Sequence, residues 1–477
     1  MAEDFDVLIA STGLSESILA AALAKAGQRV LHLDSAQAYG SHDISFTLDE
    51  LHQWAQEMPE AEATPAEIPP SLHASRRKFN LALRPTLVPA LSPFVDTLVT
   101  SGAASYSGFR LLEAMALLQL GHSQAPPELK SIPTSKEEIF NSKALSLVEK
   151  RRVMKFLQFA IGNLDEAEGL QEPCTIGALL KDKFALTGVL LDSVLYGICF
   201  CDTDQEQSKS VLVRLQKYLR SGGRYGTSPF LIGQYGGSSE ILQGFCRICA
   251  VYGGTYMLGS QLPDLPSPRD PGAAFDIPEL GPVKASHVVT QSAKSLETTA
   301  RAILILNQPV HATSSHTVAV RNADVEAPSG KEDKTTIVHR QAETALIVLP
   351  PTEGKPCVRA VMHGEGTFTA PQGHYVVYLS CVNSNGASAK EVLHPATEAL
   401  LQLVKDGLSA LLYSAYYNDR SPVRLSLDGR EVGAGGEVPP LTEISDIATQ
   451  EALRAFKSLT GKERLFEPEE KKGDEET

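Results

Sequence analysis

The sequence lacks any apolar run approaching the roughly 18–20 residues that a membrane-spanning helix requires. It also lacks positive charge in excess: 43 lysines and arginines face 57 aspartates and glutamates, a formal net charge of −14. That balance argues against nucleic acid or an anionic membrane as the main partner. It leaves a solvated acidic surface or a basic protein partner. Cysteine is sparse and scattered. The Cys246-Arg247-Ile248-Cys249 pair has no second pair at zinc-site spacing, so buried thiols are expected rather than a metal centre. No nucleophile–base pair stands out, and the twelve histidines are dispersed. A basic secretory leader is missing, because Glu3, Asp4 and Asp6 stand in its place, and Asp474-Glu475-Glu476-Thr477 is not a prenylation box. A cytoplasmic protein is the expectation. At 477 residues, 43 % hydrophobic and 21 % charged, it should form two or three ordinary globular domains.

What is present begins with "DVLIASTGLSESILAAALAKAGQRVLHLD", residues 6–34. It reads as strand, turn, helix, strand and a terminal acid, the outline of a dinucleotide-binding βαβ unit. Such a site needs GxGxxG at the first turn, for tight turning, close approach of pyrophosphate and helix–strand packing. Here the three positions hold Ser11, Gly13 and Glu16. Ser11 puts a side chain where backbone would meet phosphate. Glu16 would share the helix N-terminus with an anionic ligand. Two unit charges ~4 Å apart at an effective dielectric of ~20 repel by about 4 kcal/mol, enough to cancel most phosphate binding. Asp34 stands where a ribose-binding acid would lie, but without the glycines it is read as a structural or loop-capping residue. No Gly-Gly-Arg follows it. No cofactor is expected.

Further along, "EMPEAEATPAEIPPS" (57–71) is too poor in apolar residues to fold, and 57–76 is expected to be a disordered insertion. A helical region is expected from about 85 to 222. It includes "FVDTLV", "GFRLLEAMALLQL" and "SKEEIFNSKALSLVEKRRVMKFLQFAIG", the last with Ser135 and Glu138 as a capping box. "SKSVLVRLQKYLRSGG" should be a helix stopped by glycine. From about 224 the texture turns to strands: "ASHVVT", "AILILN", "ALIVLPP", "HYVVYLS". Mobile loops are expected at 262–282 and 321–335. A helix is expected after Pro395, "PATEALLQLVKDGLSALLY", and a disordered acidic tail at the end. Sequential elements usually stay close in space. The expected organisation is therefore a large mixed domain (1–100 and 223–440) with a helical domain inserted at 101–222, and a C-terminal helix and tail over 441–477.

The opening motif through "AYG", together with "RYGTSPFLIGQYGGSSEILQGFCRICAVYGGTYML" (224–258), "EKRRVMKFLQFA" (149–160) and "RKFNLALRP" (77–85), resembles the Rab GDP-dissociation inhibitor and Rab escort protein family. The blocks cover most of residues 5–258 and occur in the family's order. The resemblance implies a mixed α/β fold in which a βαβ domain like that of flavin monooxygenases and oxidases carries a degenerate nucleotide site and a smaller helical insertion. It implies a chaperone rather than an enzyme, with no catalytic residue and no flavin. The implied partners are GDP-bound Rab GTPases, both unprenylated and geranylgeranylated, with the geranylgeranyl group as cargo. Transient membrane contact, a monomeric state and no nucleic acid complete the expectation. A C20 isoprenoid at ~0.8 kcal/mol per CH₂ needs such a shelter. The helices of "GFRLLEAMALLQL", "VMKFLQF" and "VLVRLQKYL" are its candidate walls, ordinary core packing being the alternative.

Carried over by motif, the implied Rab platform comprises Tyr39, Glu240, Arg247, Thr255 and Met257. Arg224 and Tyr225 match a mobile loop. Glu240 and Arg247 are seven apart, so a helix would put them on one face. Within the family, the 57–76 insertion and "FCRICAV" lean towards the escort branch, which presents Rab to the α/β heterodimer of Rab geranylgeranyltransferase. Phe159 is then the implied contact with the transferase α subunit, unless it packs in the core at i+3 from Phe156. The inhibitor branch and, in another class, an FAD-dependent oxidoreductase are the alternatives.

Overall fold

The computed structural model describes residues 3–120, 126–133, 135–164, 174–260, 274–277, 280–292, 298–319, 335–420, 424–433 and 439–468. The fold grows from its first strand. Glu3–Ala10 ends in a run buried on both faces, as a central parallel strand must be. It pairs in parallel with Val30–Asp34 on one side and Gly281–Gln291 on the other; Thr255–Leu258 adds to Val30–Asp34, also in parallel. Ala274–Ile277, Leu425–Leu427 and Arg430–Glu431 complete this first sheet with antiparallel pairs. Between the first two strands runs the helix Leu14–Lys25. It is buried all round from Leu14 to Ala24. Its small residues Ala20, Ala21, Ala22 and Ala24 let the sheet and the helices Ser238–Val251 and Ile444–Thr460 close on it from different sides.

The second sheet has eight strands in the order Glu62–Thr64, Leu411–Asp419, Thr298–Leu306, Tyr375–Asn383, Val358–His363, Thr344–Leu349, Ala114–Gln119, Glu128–Ser131. All its neighbours are antiparallel except Thr344–Leu349 with Ala114–Gln119. The helix Ala389–Leu401 covers one face through Leu393, Ala396 and Leu400. The other face carries the helical block on one half and the segment 44–83 on the other. Among the described residues no helix is long and apolar enough to cross a membrane.

Several expectations are corrected. "GFRLLEAMALLQL" is not a helix but the strands Phe109–Leu111 and Ala114–Gln119. Ala114 and Leu118 enter one core while Met115 and Leu117 enter the other. Burial on both faces erases the alternation that marks a strand, and short apolar runs then mimic helix. The helical block thus begins at residue 135 rather than 101. It comprises Lys136–Asn141, Leu147–Ile161, two short helical stretches and Ser208–Ser221. Its "SKEEIF…AIG" segment is two helices, because Ser146 and Glu149 form a second, complete capping box. Residues 57–76 are not a disordered insertion: Glu62–Thr64 pairs with Leu411–Asp419, and Leu72 is fully buried. The helix assigned after Pro395 starts earlier, at a Ser388–Glu391 capping box. It contains the proline, and "LLY" belongs to the next strand. Ala274–Ile277 and Gly281–Gln291 occupy the end of the 262–282 loop; most of that loop, residues 321–334 and the tail from 469 lie outside the described residues.

A buried ion chain ties the N-terminus of the Leu14–Lys25 helix to the second sheet. Arg84, 5 % exposed at its side chain, donates from Nε and Nη2 to the two carboxylate oxygens of Asp419 at 3.1 and 3.2 Å, and from Nη1 to Asp43 at 3.5 Å. Arg301 Nε reaches the same Asp419 at 2.8 Å. Removing one member leaves uncompensated charge in the interior. Asp419→Ala strands two arginines and is expected to lower the free energy of unfolding by about 3–5 kcal/mol, read from urea denaturation.

Candidate functional site

The nucleotide-type turn is filled from within. Ser11 adopts φ +82°, a conformation that glycine reaches without strain. It is held there by Ser11 N–H to Leu33 O at 2.7 Å and by Gln291 Nε2–H to its own Oγ at 3.0 Å. His32 Nε2–H donates to Ser11 O. Full burial keeps that imidazole neutral, its pKa pushed down to about 4.

Glu16 is buried, not solvated. Its carboxylate folds back over Gly13, where an added Cβ would lie 2.7 Å from Oε2, so the bare glycine lets the carboxylate lie this close. Desolvation raises the Glu16 pKa to about 7, against hydrogen bonds from its own backbone N–H and from Gln291. Asp43 supplies a second carboxylate, accepting from Leu14 N–H at 3.0 Å. Asp34 is committed too: Thr12 N–H and Oγ1–H reach Oδ2 at 2.8 and 2.6 Å, and Ala36 N–H reaches Oδ1 at 2.8 Å. Ser260 N–H bonds Asp34 O and Gly259 N–H bonds Ala36 O, drawing the loop after Thr255–Leu258 over the same place. These residues do not fit a dinucleotide. The helix N-terminus already holds two carboxylates, and the acid at the ribose position has all its bonds inside the protein.

The second region is the outer surface of Ser238–Val251. Gly236 and Gly237, at φ +84° and +65°, make the turn into it; a Cβ on Gly236 would strike Ser45 Oγ at 2.1 Å. Ile241, Leu242, Phe245, Ile248 and Cys249 face inward, and Gln243 and Arg247 outward. The Cys246 and Cys249 thiols are buried, and burial pushes Cys249 up to about 12. Arg247 lies with its guanidinium 4.6 Å from the centroid of the exposed Tyr106 ring, a cation–π contact. Glu240 is half-buried on the same side, its pKa raised by desolvation.

Tyr39 packs edge-on to Tyr256, centroids 5.5 Å apart, on the helix side of the sheet. Thr255 and Met257 alternate with Tyr256 along an edge strand, and Met257 packs on the opposite face beside Phe5, Leu8 and Ile277. The structure therefore groups Glu240 and Arg247 on one helix and places Met257 across the sheet from Tyr39. Tyr106, Asp43 and Gln291 were missed. Nothing local marks the last two, since they act on partners 29 and 280 residues away.

On the helical block, Phe159 is half-buried. Its ring lies 5.2 Å from that of Phe184, which also meets Phe156 at 5.3 Å, and Lys183 Nζ sits 4.4 Å above it. Arg224 lies over the Tyr225 ring at 5.6 Å and 4.0 Å from Asp96, on an exposed turn.

Residues 1–322 match the family described as GDP dissociation inhibitor. The chain belongs to that family. This GDP dissociation inhibitor family member is 28 % identical to Rab proteins geranylgeranyltransferase component A of Candida albicans, across 83 % of this chain and 62 % of that protein, so it spans about three-fifths of that relative's length. With component A of Saccharomyces cerevisiae it shares 29 % identity, covering 90 % of this chain and 69 % of the other. With the Rab GDP-dissociation inhibitor of the same yeast it shares 28 %, covering 65 % and 70 %. Among solved structures it is similar to a Rab GDI from Plasmodium falciparum (TM-score 0.71, 19 % identity, 97 % of this chain and 99 % of that one). It is also similar to an oxidoreductase from Methanosarcina mazei (TM-score 0.61, 13 % identity, 95 % and 100 %). The fold of the family member is thus shared with oxidoreductases, as the opening βαβ unit implied.

The Glu16 carboxyl links stability to pH. Its pKa is about 7 in the folded protein against an ordinary 4.5, so the folded state holds the proton more tightly. That contribution is complete below pH 4.5 and lost as pH rises through 7. Glu16→Gln is expected to match the wild type in acid and to exceed it in mild alkali by about 3 kcal/mol, measured as a shift in the urea midpoint across that range.

Proposed function

We propose that this chain is a Rab escort protein: it binds GDP-bound Rab GTPases, presents them to the geranylgeranyltransferase heterodimer, shields the added lipid and delivers it to a membrane. The observation that carries the reading is the contrast within one organism. The yeast component A covers 90 % of this chain at 29 % identity, and the yeast inhibitor covers 65 % at 28 %. The filled nucleotide turn supports a binding scaffold over a redox enzyme.

On this reading the exposed face of Ser238–Val251 grips the GTPase. Arg247 offers charge-assisted bonds, Tyr106 steadies its guanidinium, and Glu240 adds an acceptor. Tyr39, Thr255 and Met257 extend the surface along the edge strand. The helices Leu147–Ile161 and Ser208–Ser221 meet through Val153, Phe156, Val211 and Leu215, an apolar seam that parts around an isoprenoid. Phe159, at the rim of that core, meets the transferase. The chain does no chemistry. It raises the effective concentration of the Rab tail cysteines at the transferase. The inhibitor reading survives as the second, because identity to the two branches is nearly equal.

The test is prenylation in vitro with unmodified Rab, transferase and lipid pyrophosphate. Turnover that depends on this protein is expected; turnover independent of it leaves the inhibitor. Arg247→Ala is expected to weaken Rab binding about 10–100-fold with transferase recruitment intact. Phe159→Ala should weaken recruitment about tenfold with Rab binding intact, both read by titration calorimetry. A stoichiometric flavin absorbance in the purified protein would remove the whole reading.

A further inference from the structure

Between the second sheet and the helical block lies a cleft of about 640 Å³, lined by Tyr196, Asp204, Glu206 and Arg214 on one side and Lys355 and Ser384 on the other. It shares Asp202, Val382 and Pro440 with an adjoining recess of about 30 Å³. Thr299, Arg301, Arg359 and Ser380 line that recess.

The sheet builds the recess by register. Arg301, Ser380 and Arg359 are direct neighbours across three adjacent antiparallel strands, so their side chains share one face in a single row. Two guanidiniums thus flank one serine, with Thr299 two residues along from Arg301. Both arginines are buried, at 5 % and 4 % exposure. Arg359 bonds Asp202 through Nη1 and Cys201 O through Nη2, while its Nε–H meets no acceptor among the described residues. Among those residues Arg301 bonds through Nε alone, to Asp419. Arg301 lines the recess with Thr299 and Ser380, and among the lining groups Arg359 Nε is the donor buried without an acceptor. A guanidinium can only donate, and a buried donor without an acceptor is unfavourable.

We propose that this recess is a binding site for one small anion of chloride size, held between Arg301 and Arg359 with the Ser380 and Thr299 hydroxyls donating to it. Three arginines, Arg84, Arg301 and Arg359, face three carboxylates, Asp43, Asp419 and Asp202, so the ion is held by local donors and not by net positive charge. Asp202 is engaged by Arg359, and Asp419 is shared between Arg301 and Arg84. A halide accepts from Arg359 Nε and from neighbouring N–H and O–H groups and brings no donor of its own, whereas a water brings two hydrogens. The ion also has a mechanical effect. Arg359 already holds the 199–202 segment of the helical block through Asp202 and Cys201 O, so an anion that fixes Arg359 to Arg301 rivets that block to the sheet. The site does not depend on the escort reading.

The full chain is melted in sodium chloride and in sodium gluconate, which is too large for the recess, at equal ionic strength. Chloride is expected to raise Tm by about 1–3 °C over gluconate, saturating with concentration. Thr299→Val keeps the shape of the side chain but removes its hydroxyl, and should lose at least half of that difference. Crystals soaked in bromide should give an anomalous peak between Arg301 and Arg359. Equal melting in the two salts, an undiminished response in Thr299→Val, or an anomalous map without that peak would each overturn the assignment and leave the recess to water.

Discussion

The N–H groups that open the Leu14–Lys25 helix must be bonded to something, and in this molecule they are bonded to the protein itself. Asp43 takes Leu14 N–H, and Glu16 turns back on its own first turn. In a fold shared with oxidoreductases, the same helix end is a natural seat for phosphate. Giving it two internal carboxylates converts a ligand site into part of the interior. The surrounding residues follow from that conversion: Ser11 held in a conformation suited to glycine, Gly13 yielding room to Glu16, and Asp34 turned onto Thr12 and Ala36.

The arrangement is stable because the charge on Asp43 is passed on. Arg84 lies between Asp43 and Asp419, and Asp419 between Arg84 and Arg301. Each carboxylate faces at least one guanidinium in surroundings where an unpaired charge would be severely penalised. The chain runs from the N-terminus of the Leu14–Lys25 helix to the sheet beneath the helical block. The surfaces proposed to bind partners lie outside it. The outward face of Ser238–Val251 and the rim of the helical block are displayed on a frame whose nucleotide-type turn is filled by its own side chains.

The opening strand–helix–strand was legible because its burial is extreme: continuous apolar strands and an alanine-rich helix leave no second interpretation. That Glu240 and Arg247 lie on one face of a helix followed from their seven-residue spacing. The strand Ala114–Gln119 was not legible, because two cores claim alternate residues of one apolar run and the period disappears. The separation of Tyr39 from Met257 was available in principle. Thr255-Tyr256-Met257 alternates across the sheet, and the Tyr256 ring beside Tyr39 sends Met257 the other way. Gln291 and Asp43 carry no local signal at all. Their roles exist only once distant segments have met.

The ion chain has a consequence for synthesis. Its members come from residues 43, 84, 301 and 419, so 376 residues separate its first carboxylate from its last. Until the last is made Arg84 and Arg301 have no Asp419 to receive them, and the interior they occupy cannot close. The large domain therefore closes only after residue 419 has been made, and a nascent chain halted before that point would remain dependent on folding assistants.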